Sequence, residues 1–82
     1  MALFMDVHHI DGGVSADDVA TAHRKDLETQ GKYGVNYTRY WVDEAGGRVF
    51  CLVEAPSADD ARAVHQAAHG LVADAIYEVV EG

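Results

Sequence analysis

The chain predicts an α+β fold, with four antiparallel strands in one layer and two helices covering one face of them. Three observations predict it. Apolar runs rich in β-branched and aromatic residues alternate with two capped amphipathic stretches in the order β-α-β-β-α-β. The two amphipathic stretches begin alike: Ser-Ala-Asp-Asp opens at Ser15 and again at Ser57, and each copy reaches a histidine, His23 or His65, eight residues after its serine. Finally, 82 residues of 49% apolar composition suffice for one core, so residues 1–82 read as a single domain.

The elements follow in order. "LFMDVHHI" (3–10) is a compact apolar run closed by "DGG" and reads as the first strand. Ser15 is a good helix cap, with Asp17 and Asp18 favoured in the first turn by the helix dipole. Ala16, Val19, Ala20, His23 and Leu27 share one helical face, and Gly31 supplies a stop. "VNYTRYWV" (35–42) and "RVFCLVEA" (48–55), joined through "DEAGG", read as a hairpin. Ser57 caps a second helix whose stripe runs through Ala61, Val64, His65, Ala68 and Val72, and "AIYEVVE" (75–81) is the last strand. This order is the split-βαβ, ferredoxin-like arrangement, in which the repeated serine-to-histidine string marks two pseudo-equivalent helices.

A chain this short buries only about 60–65% of its unfolded surface. With Cys51 the only cysteine, no internal disulfide compensates. Phe4, Tyr37, Trp41, Phe50 and Leu52 are more large apolar groups than two short helices cover. The sheet face away from the helices is therefore expected to pair with a second copy in a homodimer. Fourteen acidic against six basic residues give a net charge of −8, which disfavours nucleic acid and anionic membranes as partners. The N-terminus lacks the basic start of a signal peptide, and one thiol in an apolar strand suits a reducing cytoplasm.

Five histidines in a chain of this length are its most distinctive feature. His65 and His69 lie one turn apart and present two imidazoles on one side of a helix, the spacing by which helices chelate a metal. Gln66 stands where a zinc protease needs glutamate, so protease chemistry is set aside. His23 sits among apolar neighbours, with Asp26 one turn on to orient it or to add a carboxylate. In "DVHHID", Asp6 and His8 share one strand face, and His9 and Asp11 share the other. Imidazoles interleaved with carboxylates suit Ni, Zn, Cu or Co.

"AHRKDLETQGKYGVNYTRYWVDE", "VFCLVEAP" and "VHQAAHGLVAD" together resemble a bacterial family of small ferredoxin-like proteins that includes a nickel-binding member of streptomycetes. The resemblance spans nearly the whole chain. It implies a dimeric ferredoxin-like fold and a role in nickel binding and homeostasis. His23, Asp26, Tyr40, Trp41, Cys51, His65 and His69 match the family's motifs.

The expectation is then a non-enzymatic, cytoplasmic Ni²⁺-binding homodimer, with ligands drawn from His8, His9, Asp11, His23, Asp26, His65 and His69. Ligand protonation should release the ion below about pH 6. The alternative is a cofactor-free enzyme or small-ligand protein with a pocket near His23, Trp41, Cys51 and His65. A copper-type metallochaperone is excluded because "HHIDGG" stands where its Cys-x-x-Cys loop would be.

Overall fold

The computed structural model describes residues 1–82, arranged as β1 (Ala2–His9), α1 (Ala16–Thr29), β2 (Asn36–Asp43), β3 (Arg48–Ala55), α2 (Ala58–Ala68) and β4 (Ala75–Glu78). The sheet order is β2-β3-β1-β4 and every neighbouring pair is antiparallel, which is the ferredoxin-like topology. The shortest dimension, 17 Å, accommodates one helix layer on one sheet. No helix is long and apolar enough to cross a membrane.

Both helices start where the serines place them. Ser15 Oγ accepts the Asp18 N–H at 3.1 Å and Ser57 Oγ accepts the Asp60 N–H at 3.2 Å, each satisfying an otherwise unpaired first-turn donor. The α2 end is set by Gly70, whose φ of +79° lets its N–H return to the His65 carbonyl. The other helix continues past Gly31. Beyond Thr29 it tightens into a 3₁₀ turn, Gln30–Tyr33, and Gly34, at φ +66°, is the left-handed residue that stops it.

The face of α1 is rotated from the expected stripe. Ala16 and Leu27 are exposed, while Val19 and Asp26 are buried and Ala22 and His23 are half-buried between them. Those four also follow i, i+3, i+4, i+7, but the last place holds a carboxylate. Its partners, two histidines of α2, make that rotation tolerable.

Two large residues expected on the open sheet face turn inward. Phe4 shares its face of β1 with Asp6 and His8, under the helices. Tyr37 would share a face with Trp41 in a regular strand, but the pairing of β2 with β3 slips between Tyr37 and Arg39. That bulge reverses the alternation, so Tyr37, Tyr40 and Val42 face the core and Trp41 faces away. The apolar core is Phe4, Val19, Val35, Tyr37, Val49, Cys51, Val53, Ala55, Ala61 and Val64. Leu3, Met5, Trp41, Phe50, Leu52 and Tyr77 remain on the uncovered face, half-buried or exposed.

The turn between β2 and β3 is joined to the end of β1, because the Ile10 N–H donates to the Gly47 carbonyl at 2.6 Å. Gly47 sits at φ +69°, and a side chain there would run into the Ile10 carbonyl. Gly47→Ala is expected to cost on the order of 2–3 kcal/mol. Urea unfolding followed by tryptophan fluorescence checks this.

Candidate functional site

Three elements each send one ionisable side chain to the same buried point. Asp6 comes from the centre of β1, Asp26 from the inner face of α1 and His65 from the inner face of α2. His65 Nδ1 lies 2.8 Å from Asp26 Oδ1, and its Nε2 lies 3.0 Å from Asp6 Oδ2. Each ring nitrogen thus faces a carboxylate oxygen, and both can donate only if the ring is an imidazolium. Burial opposes that charge, but the hydrogen bonds His65 donates to Asp26 and Asp6, followed by their charges, outweigh it and raise the His65 pKa to about 9.

Asp6 is the most heavily bonded of the group. Its Oδ2 accepts from His65 and from the Tyr37 hydroxyl at 2.8 Å, and its Oδ1 accepts from His8 Nε2 at 3.2 Å. Burial alone would raise its pKa, but hydrogen bonds and charge from His65 and His8 hold the carboxyl far below the usual carboxylate range. The Tyr37 ring stacks on His65 with centroids 4.4 Å apart, and its hydroxyl also reaches the Ala61 carbonyl at 3.1 Å. Burial first, then the Asp6 charge, push the Tyr37 phenol and the Cys51 thiol far upward, so both keep their protons.

His69 closes the chain on the solvent side. It is the C-terminal cap of α2, and its Nε2 lies 3.0 Å from Asp26 Oδ1. The Leu71 N–H donates to His69 Nδ1 at 3.1 Å, so the ring proton sits on Nε2, the nitrogen beside Asp26. Burial lowers the pKa of this ring; the Asp26 charge acts against the shift without reversing it, and the His65 charge adds to it.

Above the group lies a cavity of about 210 Å³, open to solvent on one side and walled by both helices and the sheet. Two sets of donors stand close enough to hold a metal ion, and His65 belongs to both. Asp26, His65 and His69 form one, Asp6, His8, Cys51 and His65 the other, with ligand atoms within 4.8 Å of one another in each.

Of the residues singled out from sequence, the structure brings His8, Asp26, His65 and His69 into this one group. His23 lines the cavity wall against Tyr40, with centroids 4.7 Å apart, and does not use Asp26. His9 is exposed at the end of β1, where its N–H donates to Asp74 Oδ2, and Asp11 is exposed in the following turn. Trp41 lies on the opposite face of the sheet from His23, Cys51 and His65, and Tyr40 takes the place expected for it in the cavity wall. Sequence reasoning missed Asp6 as the hub and Tyr37 as its partner. The signal was there: Phe4, Asp6 and His8 alternate on one face of a central strand, so two polar groups had to be buried together.

Comparison with known proteins bears on the whole chain. The family model described as nickel responsive protein SCO4226-like matches residues 4–79. The crystal structure of SCO4226 from Streptomyces coelicolor A3(2) is similar to this chain with a TM-score of 0.91 and 40% sequence identity, covering 99% of each chain. Among curated proteins none matches.

The buried bridge has a pH signature whose sign follows from the shifts. A raised histidine pKa contributes stability that is complete below its unfolded value of 6.5 and is lost as pH rises through about 9. A depressed aspartate pKa contributes stability that is present above 3.8 and is lost as pH falls. Metal-free protein should therefore melt at a higher temperature at pH 6 than at pH 9. Ring ¹⁵N shifts should report His65 doubly protonated at pH 7; a neutral ring there would refute the bridge.

Proposed function

Because the chain belongs to the family of SCO4226-like nickel responsive proteins, we propose that it binds Ni²⁺ through imidazoles and carboxylates and acts in nickel homeostasis by sequestering the ion. The observation that supports this most directly is the convergence of two donor sets on His65. Nitrogen and carboxylate oxygen are the donors a borderline divalent ion takes, and a protonated thiol adds little. In this reading Asp26, His65 and His69 hold the ion from the cavity side, with His8 and Asp6 beneath. His23 belongs to the wall, and His9 and Asp11 to the exposed rim. The role is binding, not catalysis, and a cytoplasmic location accords with the lone buried Cys51 thiol.

The same geometry makes uptake a competition with protons. Asp6 and Asp26 already share one cation, the His65 imidazolium, and His69 carries its proton on Nε2, beside Asp26. Ligating through these nitrogens requires them to give up those protons. The pH dependence thus reaches above neutrality, well beyond the value of about 6 expected for unperturbed imidazoles.

Titration calorimetry with Ni²⁺ in buffers of different ionisation enthalpy is expected to show saturable binding with net proton release, tightening from pH 6 to pH 8. His69→Ala should weaken it by roughly tenfold or more, and His9→Ala by less than about twofold. Absence of Ni²⁺ uptake at pH 8 would end this reading.

We also infer a homodimer formed through the uncovered sheet face. Leu3, Met5, Trp41 and Leu52 line an apolar groove there, with Arg39 stacked 5.3 Å from the Trp41 ring. A patch of this kind on so small a chain is normally covered. Light scattering after gel filtration should give twice the 8.9 kDa chain mass, and Leu52→Asp should reduce it to one.

A further inference from the structure

The cavity over His65 also holds polar atoms that neither the buried bridge nor the fold uses. No side-chain nitrogen or oxygen is both sealed from solvent and without a hydrogen-bond partner. His8 bonds through Nε2 and Asp26 through Oδ1, which leaves His8 Nδ1 and Asp26 Oδ2 without protein partners. Both residues are more than nine-tenths buried and both line the cavity, so these two atoms open into it. When the His8 ring is neutral with its proton on Nε2, facing Asp6, it presents a lone pair at Nδ1. Together with the Tyr40 hydroxyl and the His23 ring, which also line the cavity, these two acceptors suit a ligand with donors.

Charge narrows the class. Asp18, Asp26 and Asp74 line the cavity and no lysine or arginine does; the His65 imidazolium offsets one of these charges, so the lining stays net negative. Anions are repelled here, and a cation is favoured in a site with limited access to water. Val14, Val19, Ala22, Val49, Leu71 and Val72 supply the apolar part of the wall, which suits an apolar body. At about 210 Å³ the space fits one ring and a short arm, roughly ten non-hydrogen atoms.

We propose that this cavity binds a small organic ammonium ion, a primary amine on a single-ring apolar body, with Asp26 Oδ2 and His8 Nδ1 accepting its N–H donors and the valine-lined wall taking its ring. The inference does not depend on nickel binding, and its test uses metal-free protein so that the two stand or fall separately.

The experiment is an ¹⁵N-HSQC titration of the chelator-treated full chain with benzylamine. Benzyl alcohol, benzoate and methylammonium serve as matched probes lacking the charge, reversing it or lacking the ring. Saturable shifts centred on Val19, Ala22 and Val49 are expected with benzylamine, at least tenfold weaker with benzyl alcohol and methylammonium, and absent with benzoate. Asp26→Asn should weaken benzylamine at least tenfold, and Ala22→Phe, which fills the space and leaves every charge in place, should abolish it. Should either variant fail to give a dispersed spectrum, NOEs from the benzylamine ring to the Val19 and Val49 methyls in the unaltered protein decide. No saturable shift, an equal response to methylammonium, or shifts that avoid the cavity residues would overturn the proposal.

Discussion

One imidazolium held between two carboxylates ties this small fold together. His65 on α2 reaches Asp6 on the central strand β1 and Asp26 on α1, so a single ring links both helices to the sheet. Tyr37 joins from β2 and Cys51 lies alongside from β3, which leaves the short β4 as the one strand without a side chain in the group. The geometry is over-determined. Asp6 receives three donors, His65 has both nitrogens engaged, and no polar side-chain atom sealed from solvent is left without a partner. That completeness matters because a buried charge is tolerated only when it is paired and hydrogen-bonded.

Such a bridge is a poor choice for stability alone. Fifteen residues are buried, and Asp6, His8, Asp26 and His65 are four of them. Well-packed apolar residues in place of a buried ion group are often as stable or more so, whereas loss of one partner leaves an uncompensated charge and costs about 3–5 kcal/mol. A fold with so small a core departs from local consistency mainly where function requires it. What the arrangement supplies is a fixed excess of negative charge and a removable proton, next to a cavity that a ligand can enter. Either a divalent ion or an ammonium group would meet the same physical condition, positive charge beside two aspartates.

Much of the fold was legible because each element carried its own local signal. The two serine caps and the apolar run of β3 are decided by neighbours in sequence. The site was legible in part. His65 and His69 stood out through their spacing, which a helix converts directly into proximity. Asp26 stood out too, but with the wrong partner: its nearest histidine in sequence is His23, whereas the helix rotates it toward α2. That rotation depends on contacts 39 residues apart and has no local signature. The inward turn of Tyr37 was hidden for a related reason, because the bulge beside it is visible only once β2 is paired with β3.

The repeated string explains why the group could form and also why it is lopsided. Equal distances from Ser15 and Ser57 bring His23 and His65 to matching heights on two helices over one sheet, and both line the same cavity. If position alone set their roles, each would carry a carboxylate partner from its own half. The positions three and four residues further on differ, however: Asp26 and Leu27 follow His23, where Ala68 and His69 follow His65. One helix therefore supplies the carboxylate and the other the two imidazoles that flank it, while His23 is left to pack on Tyr40. The shared pattern positions the side chains, and the charge relation that makes a site arises from the places where the two copies disagree.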